Sequence, residues 1–214
     1  MKKKLKIDIV SDVVCPWCTI GYKRLEKAIS ELGIEDQLEI EWQPFELNPN
    51  MPVEGQNMKE HITEKYGSTV EQQKESQQHM TEVGKELGFT FDYFDDMRMV
   101  NTFNAHILLD YAKDFGKQTE LKMRLTTAFF SERKDVSDRD ILKQALLDVG
   151  LKAEEALARL DNEEVRYDLR NKQGYWKNMG VNSVPTIVFN RKSAVTGAQP
   201  VDVFKEVLSE LITD

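Results

Sequence analysis

The segment Val13-Val14-Cys15-Pro16-Trp17-Cys18-Thr19 contains both cysteines of this 214-residue chain, separated by two residues. The β-branched stretch 5–10 before it predicts a strand, and the apolar spacing after it predicts a helix that ends at Gly33. Because proline is favoured at the first position of a helix, Pro16 places Cys15 at the N-cap. The unpaired backbone amides and the helix dipole at that end favour a thiolate on Cys15.

The spacing of the two cysteines suits thiol–disulfide exchange. Such exchange needs an attacking thiolate and a second thiol close enough to release the substrate from the mixed disulfide. Two intervening residues at a helix start bring both sulfurs within bonding range. We therefore expect Cys15 to be an exposed nucleophile and Cys18, one turn into the helix, to be the buried resolving thiol. Two buried structural cysteines are the alternative that this spacing disfavours.

The three histidines of the chain are not expected to form a metal site with the cysteines. A tetrahedral zinc site needs four ligands, and no histidine is close in sequence to a cysteine or to another histidine. His61 and His79 lie in polar helical segments and are expected to face solvent. His106 follows an apolar helical face and is expected in the core or on the wall of a substrate groove.

Composition and charge restrict the class of protein. The formal net charge is −8 and Lys2-Lys3-Lys4 is the only basic run, which disfavours nucleic acid as a partner. No apolar window approaches the roughly 20 residues that span a bilayer, and polar residues interrupt segment 5–14, so neither a membrane anchor nor a signal peptide is expected. We therefore expect a cytoplasmic protein. In that reducing compartment a close cysteine pair is typical of redox chemistry.

Strand signals occur only near the two ends of the chain. The alternating segment 38–43 predicts a second strand parallel to the first, which completes a βαβ unit. The middle of the chain has helical apolar spacing almost throughout. Strand signals return at 186–189 and 194–196, and a last helix follows Pro200. This order predicts an α/β fold with one mixed sheet interrupted by helices.

Two features of this order resemble a known fold. A strand that runs into Cys-x-x-Cys at a helix start, and a Val-Pro-Thr before a late strand, are similar to the thioredoxin fold. The long helical insertion resembles the DsbA branch of that fold. We expect residues 1–50 and 160–214 to form one discontinuous thioredoxin-like domain, with residues 51–159 as an inserted all-helical domain.

Short motifs spread over nearly the whole chain resemble the FrnE-like subgroup of the DsbA family. They are Cys15-Pro16-Trp17-Cys18, Pro44-Phe45, Asn48-Pro49, Met51-Pro52, Glu54-Gly55, Lys65-Tyr66-Gly67, Asn101-Thr102, Ala105-His106 and Gly197-Ala198-Gln199-Pro200. The resemblance implies a dithiol–disulfide oxidoreductase that works through Cys15 and Cys18 without a bound metal or organic cofactor. It implies protein or small-molecule thiol and disulfide substrates, with glutathione as a further candidate, and leaves the oligomeric state open.

The resemblance also implies a substrate-binding surface. In the family, a proline at the position of Pro185 follows a cis bond and packs against the two cysteines. The resemblance therefore implies a cis Val184–Pro185 bond, which would leave the Val184 backbone free to pair with an extended substrate. On sequence statistics alone a trans bond would be expected, since only about 5–6% of X–Pro bonds are cis. Pro16, Trp17 and His106 complete the expected substrate-binding residues.

The chain departs from the family pattern at two positions. Thioredoxins carry a buried aspartate six residues before the first cysteine, where this chain has Ile9. Asp8 and Asp12 flank that position and are candidate proton acceptors for Cys18, although we expect Asp12 to be a solvated loop acid. FrnE-like chains usually have arginine where this chain has Ile107, which puts a basic contact from that helix in doubt.

Two other classes of protein share features with this chain. Glutathione-dependent isomerases and transferases related to 2-hydroxychromene-2-carboxylate isomerase have the same fold, but they carry serine at the position of Cys15 and lack the Cys-x-x-Cys. The presence of both cysteines therefore favours redox chemistry. A non-catalytic binding module or chaperone is the third class, and loss of activity in a Cys15→Ser variant would argue against it.

Overall fold

The βαβ unit predicted near the N-terminus is present. The computed structural model of the protein describes residues 4–213. Strand β1 (Leu5–Ser11) leads into helix α1 (Pro16–Leu32), and a short 3₁₀ turn precedes strand β2 (Leu38–Pro44). The two strands pair in parallel along their whole length. Helix α1 ends at Gly33, whose φ of 63° is left-handed, as the sequence predicted.

The C-terminal part of the chain completes the sheet. Helix α8 (Glu163–Asn178) leads to strands β5 (Thr186–Phe189) and β6 (Ser193–Thr196), and helix α9 (Val201–Thr213) follows. The strand order is β2-β1-β5-β6, with β5 antiparallel to both of its neighbours. This four-stranded mixed sheet confirms the predicted fold class.

Helices occupy the chain between β2 and α8. They are α2 (Met58–Tyr66), α3 (Val70–Glu86), α4 (Phe103–Lys113), α5 (Gln118–Phe130), α6 (Arg139–Asp148) and α7 (Ala153–Ala158). The strands β3 (Gln56–Asn57) and β4 (Arg98–Met99) form a small antiparallel pair beside α2. The sequence did not predict this pair because each strand has only two residues.

Alternate residues of β1 face two different layers. Ile7 and Ile9 pack with α1 and with Phe204 of α9 on one face of the sheet. Val10 packs with Trp176 of α8 on the other face. The sheet is therefore covered on both sides, which is why β1 is apolar at most of its positions.

A second hydrophobic core lies among helices α2 to α8. The aromatic residues Phe103, Phe129 and Phe130 are all buried in it. Val13 and Val14, which precede the cysteines, belong to the same cluster. The segment that carries the cysteines is thus held between the sheet and the helical core.

Helix α3 opens with a capping box formed by Thr69 and Gln72, in which the Gln72 side chain reaches back to the Thr69 amide. Met179 lies just beyond the end of α8 and is 57% exposed.

Within residues 4–213, no helix is long and apolar enough to cross a membrane. Lys2 and Lys3 of the basic run lie outside the described residues.

Candidate active site

Cys15 occupies the N-cap of α1, as the position of Pro16 predicted. Its backbone is extended, with φ −98° and ψ 111°, and Pro16 is the first helical residue. The backbone N–H of Cys18 donates a hydrogen bond to Cys15 Sγ over 3.3 Å. The sulfur therefore lies at the positive end of the helix, where a negative charge is stabilised.

The two cysteines differ less in exposure than the sequence predicted. Cys18 is 1% exposed, and Cys15 is only 5% exposed. The expectation of an exposed Cys15 is wrong because residues of the helical region pack around the start of α1. Trp17 is the surface residue of the motif, and its ring lies 6.1 Å from the ring of His79, which is exposed as predicted.

A groove of about 430 Å³ leads to Cys15, and we call it the active-site groove. Apolar side chains in its lining include Met58, Ile62, Met80, Met99 and Phe130. Amide and hydroxyl groups come from Asn48, Ser68, Gln72, Gln73, Ser76 and Gln77. Among the described residues that line it, none is Asp, Glu, Lys or Arg. The groove is therefore apolar and amide-rich, with little charge.

His61 lines this groove instead of facing solvent, which corrects the prediction. Its ring nitrogens lie 2.8 Å from Gln56 Oε1 and 2.9 Å from Asn48 Oδ1. Asn48 lies in the loop after β2 and Gln56 in β3, so both contacts come from outside α2 and helical periodicity does not reveal them. Burial, followed by the charge of Lys65, lowers the pKa of His61.

The segment Val184-Pro185 is far from the cysteines in sequence but lies close to them in space. The peptide bond between the two residues is cis. Val184 lines the active-site groove together with Cys15, Pro16 and Trp17. The Pro185 carbonyl accepts a hydrogen bond from the Gly197 amide over 2.8 Å. Four of the seven predicted site residues, Cys15, Pro16, Trp17 and Val184, thus line one groove.

Asp12 is buried at the base of the site, which corrects the expectation of a solvated acid. It is 1% exposed. Its Oδ1 accepts hydrogen bonds from the Val13 amide over 2.7 Å and from His106 Nε2 over 3.2 Å, and its Oδ2 accepts one from the Leu47 amide over 2.8 Å. Burial would raise the pKa of Asp12, but the His106 and Leu47 contacts outweigh it and the pKa is lowered.

His106 is placed behind the site and not on the groove wall. It is 3% exposed and is absent from the described residues that line the active-site groove. Its contact is with Asp12, which in turn holds the amide next to the cysteine motif. His106 therefore lies in the core, one of the two locations expected for it, and Asp12 connects it to the loop before Cys15. Its contact with substrate stays a prediction.

The environment of Cys18 opposes its ionisation. Burial raises the pKa of the Cys18 thiol well above its usual range, and the neighbouring Cys15 sulfur raises it further. The charge of Lys122 and the backbone of Asp12 act in the opposite direction. A resolving thiol must ionise before it attacks, so any group that stabilises its anion favours that step.

Lys122 is the site residue that sequence reasoning missed. It lies on α5 at the spacing of the buried positions Gln118, Leu125 and Phe129. A lysine on such a stripe was the available signal, because lysine is almost never fully buried without a partner.

Comparison with a protein-family profile identifies the fold. The profile described as DSBA-like thioredoxin domain matches residues 6–209. Among curated proteins, an uncharacterized protein of Bacillus subtilis, YwbO, is 28% identical over 206 residues, which are 95% of this chain and 96% of that protein.

Two solved structures illustrate the similarity. A probable DsbA oxidoreductase from Streptomyces coelicolor has 29% sequence identity and a TM-score of 0.91, over 98% of this chain and 91% of that one. The cytosolic disulfide reductase DsbM from Pseudomonas aeruginosa, solved with GSH, has 17% identity and a TM-score of 0.69, over 98% of this chain and 100% of that one. At that lower identity the likeness to DsbM is one of fold.

Proposed function

This chain belongs to the family of DSBA-like thioredoxin domains, and from that premise we propose that it is a dithiol–disulfide oxidoreductase working through Cys15 and Cys18. The observation that carries the proposal is the position of Cys15: its sulfur lies at the N-cap of α1, lines the active-site groove and has Cys18 one turn behind it. Each position matches a requirement of disulfide exchange.

The reaction consists of two exchanges. Cys15 attacks a substrate disulfide as thiolate, a Cys15–substrate bond forms, and the other substrate sulfur leaves as thiolate. The Cys18 thiolate then attacks Cys15 Sγ, the Cys15–Cys18 bond forms, and the second substrate sulfur leaves. The substrate gains two electrons and the cysteine pair is oxidised, so an external thiol must reduce the pair for another cycle. The same steps in reverse oxidise a dithiol substrate.

The lining of the groove favours a polypeptide substrate. A neutral, amide-rich and partly apolar surface suits an extended segment with apolar side chains near its cysteine. The side-chain amides of Gln72 and Gln77 offer donors and acceptors to a substrate backbone. Glutathione carries two carboxylates, and the groove lining described here offers them no Lys or Arg. We therefore rank protein disulfides above glutathione as substrates.

Two finer assignments belong to the same proposal. We place the chain in the FrnE-like subgroup because the motifs that resemble it are spread from Cys15 to Pro200. We also propose a cytoplasmic location, in line with the resemblance to a cytosolic disulfide reductase. In that compartment the reducing poise would favour the reductase direction.

Trapping of a mixed disulfide tests the proposed function. Incubation with an insulin-like protein disulfide should leave a covalent adduct on a Cys18→Ser variant, since Cys15 still attacks and nothing resolves the product. The Cys15→Ser variant is the matched control and should form no adduct. Wild type should reduce the substrate with turnover when an external thiol is supplied, and Cys15→Ser should not.

The opposite results would overturn the proposal. Turnover that persists in Cys15→Ser would mean that the cysteine pair is not the reactive group. Absence of turnover and of any adduct in all three proteins would favour the glutathione-dependent isomerase and transferase class, which shares the fold but does not use two cysteines.

A further inference from the structure

Lys122 has a buried ammonium group that no hydrogen bond satisfies. The residue is 3% exposed, and its Nζ has no hydrogen-bond partner in the part of the chain that the structure describes. Its Nζ lies 5.1 Å from the centre of the Trp42 ring on β2. This cation–π contact compensates only part of the lost hydration.

The position of Lys122 needs a functional explanation. Buried lysines are normally paired, and a methionine or leucine would fill the same space without the cost of a buried charge. Burial lowers the pKa of Lys122, whereas the negative charges of Cys18, Asp12 and Cys15 raise it. The ammonium therefore lies within electrostatic range of both thiols and of one carboxylate.

Asp12 does not need Lys122 as a partner. Its carboxylate already accepts hydrogen bonds from the amides of Val13 and Leu47 and from His106. Among the described groups around Cys18, only the Asp12 backbone and the charge of Lys122 favour its anion, whereas burial and Cys15 oppose it. Of the groups near Lys122, the Cys18 sulfur is the one whose charged form most needs a nearby cation.

We infer that Lys122 is a positioning residue whose ammonium charge stabilises the Cys18 thiolate while that thiolate attacks the mixed disulfide. The inference rests on the proposed function. In the mixed disulfide Cys15 carries no charge, so the field of the ammonium acts on Cys18 without competition from a second thiolate. The charge comes from α5 of the helical region, whereas the sequence offered Asp8 and Asp12 as candidate proton acceptors for Cys18.

The resolving step conserves protons and electrons. Cys18 loses its proton to water, and Lys122 keeps its own protons throughout. The Cys18 thiolate forms the bond to Cys15 Sγ, and the bond between Cys15 and the substrate breaks. The electron pair of that bond leaves with the substrate sulfur as a thiolate, which takes up a proton from solvent.

The charged groups around Cys18 come from several elements. Cys15 lies on the same helix, Asp12 in the loop before it, and Lys122 on α5. His106 on α4 and Glu46 after β2 face Asp12 from the other side. Of these groups, Lys122 is the one whose charge lowers the pKa of Cys18.

Thiol titration of a single-cysteine protein tests this inference. In a Cys15→Ser background, the ultraviolet absorbance of the thiolate reports the ionisation of Cys18 alone. Adding Lys122→Met should reduce the thiolate population about tenfold at any pH below its midpoint, since one pKa unit corresponds to one such factor. Lys117→Met, at the start of the same helix and partly exposed, is the matched control and should leave the curve unchanged.

Stability separates this role from a structural one. Methionine removes an unpaired buried charge at similar volume, so the Lys122→Met protein should unfold at the same temperature or higher. Lys122→Gln serves as a second neutral variant if the first does not fold. An unchanged Cys18 titration in a folded variant, or an equal shift in Lys117→Met, would overturn the inference. The titration needs no substrate, so it is independent of whether the protein exchanges disulfides.

Discussion

Gly21 of α1 and Pro185 lie so close together that a Cβ on Gly21 would be 3.0 Å from Pro185 Cγ and 3.4 Å from the Ala198 Cα. Gly21 lies one turn beyond Cys18. The helix that bears both cysteines therefore also contacts Pro185. The absence of a Cβ at Gly21 therefore sets how closely the two halves of the site approach.

A larger side chain at Gly21 should separate these halves. Gly21→Val should lower the free energy of unfolding by about 1–3 kcal/mol, because added volume in a close contact forces backbone shifts. Gly174→Ala on α8 is the matched control: apart from the neighbouring backbone of α8, no atom of the described residues lies within 4 Å of its Cβ position, so it should stabilise the protein by roughly 0.5–1 kcal/mol. Urea unfolding of both variants measures the two changes, and a stable Gly21→Val protein would contradict the close contact.

Removal of the charge on Asp12 should loosen the loop that carries the cysteines. The Asp12 carboxylate accepts hydrogen bonds from the Val13 amide, the Leu47 amide and His106, and the single amide oxygen of asparagine cannot replace both carboxylate oxygens. Asp12→Asn should therefore lower the free energy of unfolding by about 2–4 kcal/mol. Amide hydrogen exchange should then be faster at Val13 and Leu47. Asp92→Asn, at an ion pair with the exposed Arg133, is the control and should leave both amides unchanged. Equal protection in Asp12→Asn and wild type would mean that the carboxylate does not hold the loop.

The sequence predicted the parts of this site that depend on local signals. Pro16 marks a helix start by its ring, so the N-cap position of Cys15 was predictable from adjacent residues. The burial of Asp12 was not, because its partners Leu47 and His106 lie 35 and 94 residues away in the chain. The polar residues Gln72 and Gln77 resembled a solvated helix face, and only the packing of α3 beside α1 turns them toward Cys15.

The ion pairs of Glu41 should make stability depend on acidic pH. Burial would raise the pKa of Glu41, but hydrogen bonds from Lys113 and Lys6, each 2.7 Å long, outweigh it and lower the pKa to about 2. The unfolded value is about 4.3. The stabilisation is therefore complete above about pH 4.3 and is lost as the pH falls toward 2.

Glu41→Gln tests this dependence. The variant should be about 1–2 kcal/mol less stable than wild type near neutral pH, an amount limited by the solvent exposure of both lysines. The difference should shrink below about pH 4 as the wild-type carboxylate is protonated. Glu39→Gln, exposed on the same strand, should show no such difference. A gap between Glu41→Gln and wild type that stays constant from neutral to acidic pH would contradict the argument.

Trp17 should keep the cysteine pair from being strongly oxidising. The residue between Pro16 and Cys18 lies next to the Cys15 thiolate, and tryptophan gives that thiolate no positive partner. We expect a reduction potential between those of thioredoxin and DsbA, about −270 and −120 mV.

Trp17→His would add a cation when protonated and would stabilise the reduced form of the cysteine pair. The reduction potential should rise by about 30 mV for each tenfold gain in the stability of that reduced form. Equilibration with glutathione buffers measures the potential. Trp17→Phe separates charge from loss of the indole, because it replaces the indole that lies near His79 without adding charge. Phenylalanine should leave the potential near the wild-type value, and a rise equal to that of histidine would mean that packing at Trp17 controls the potential.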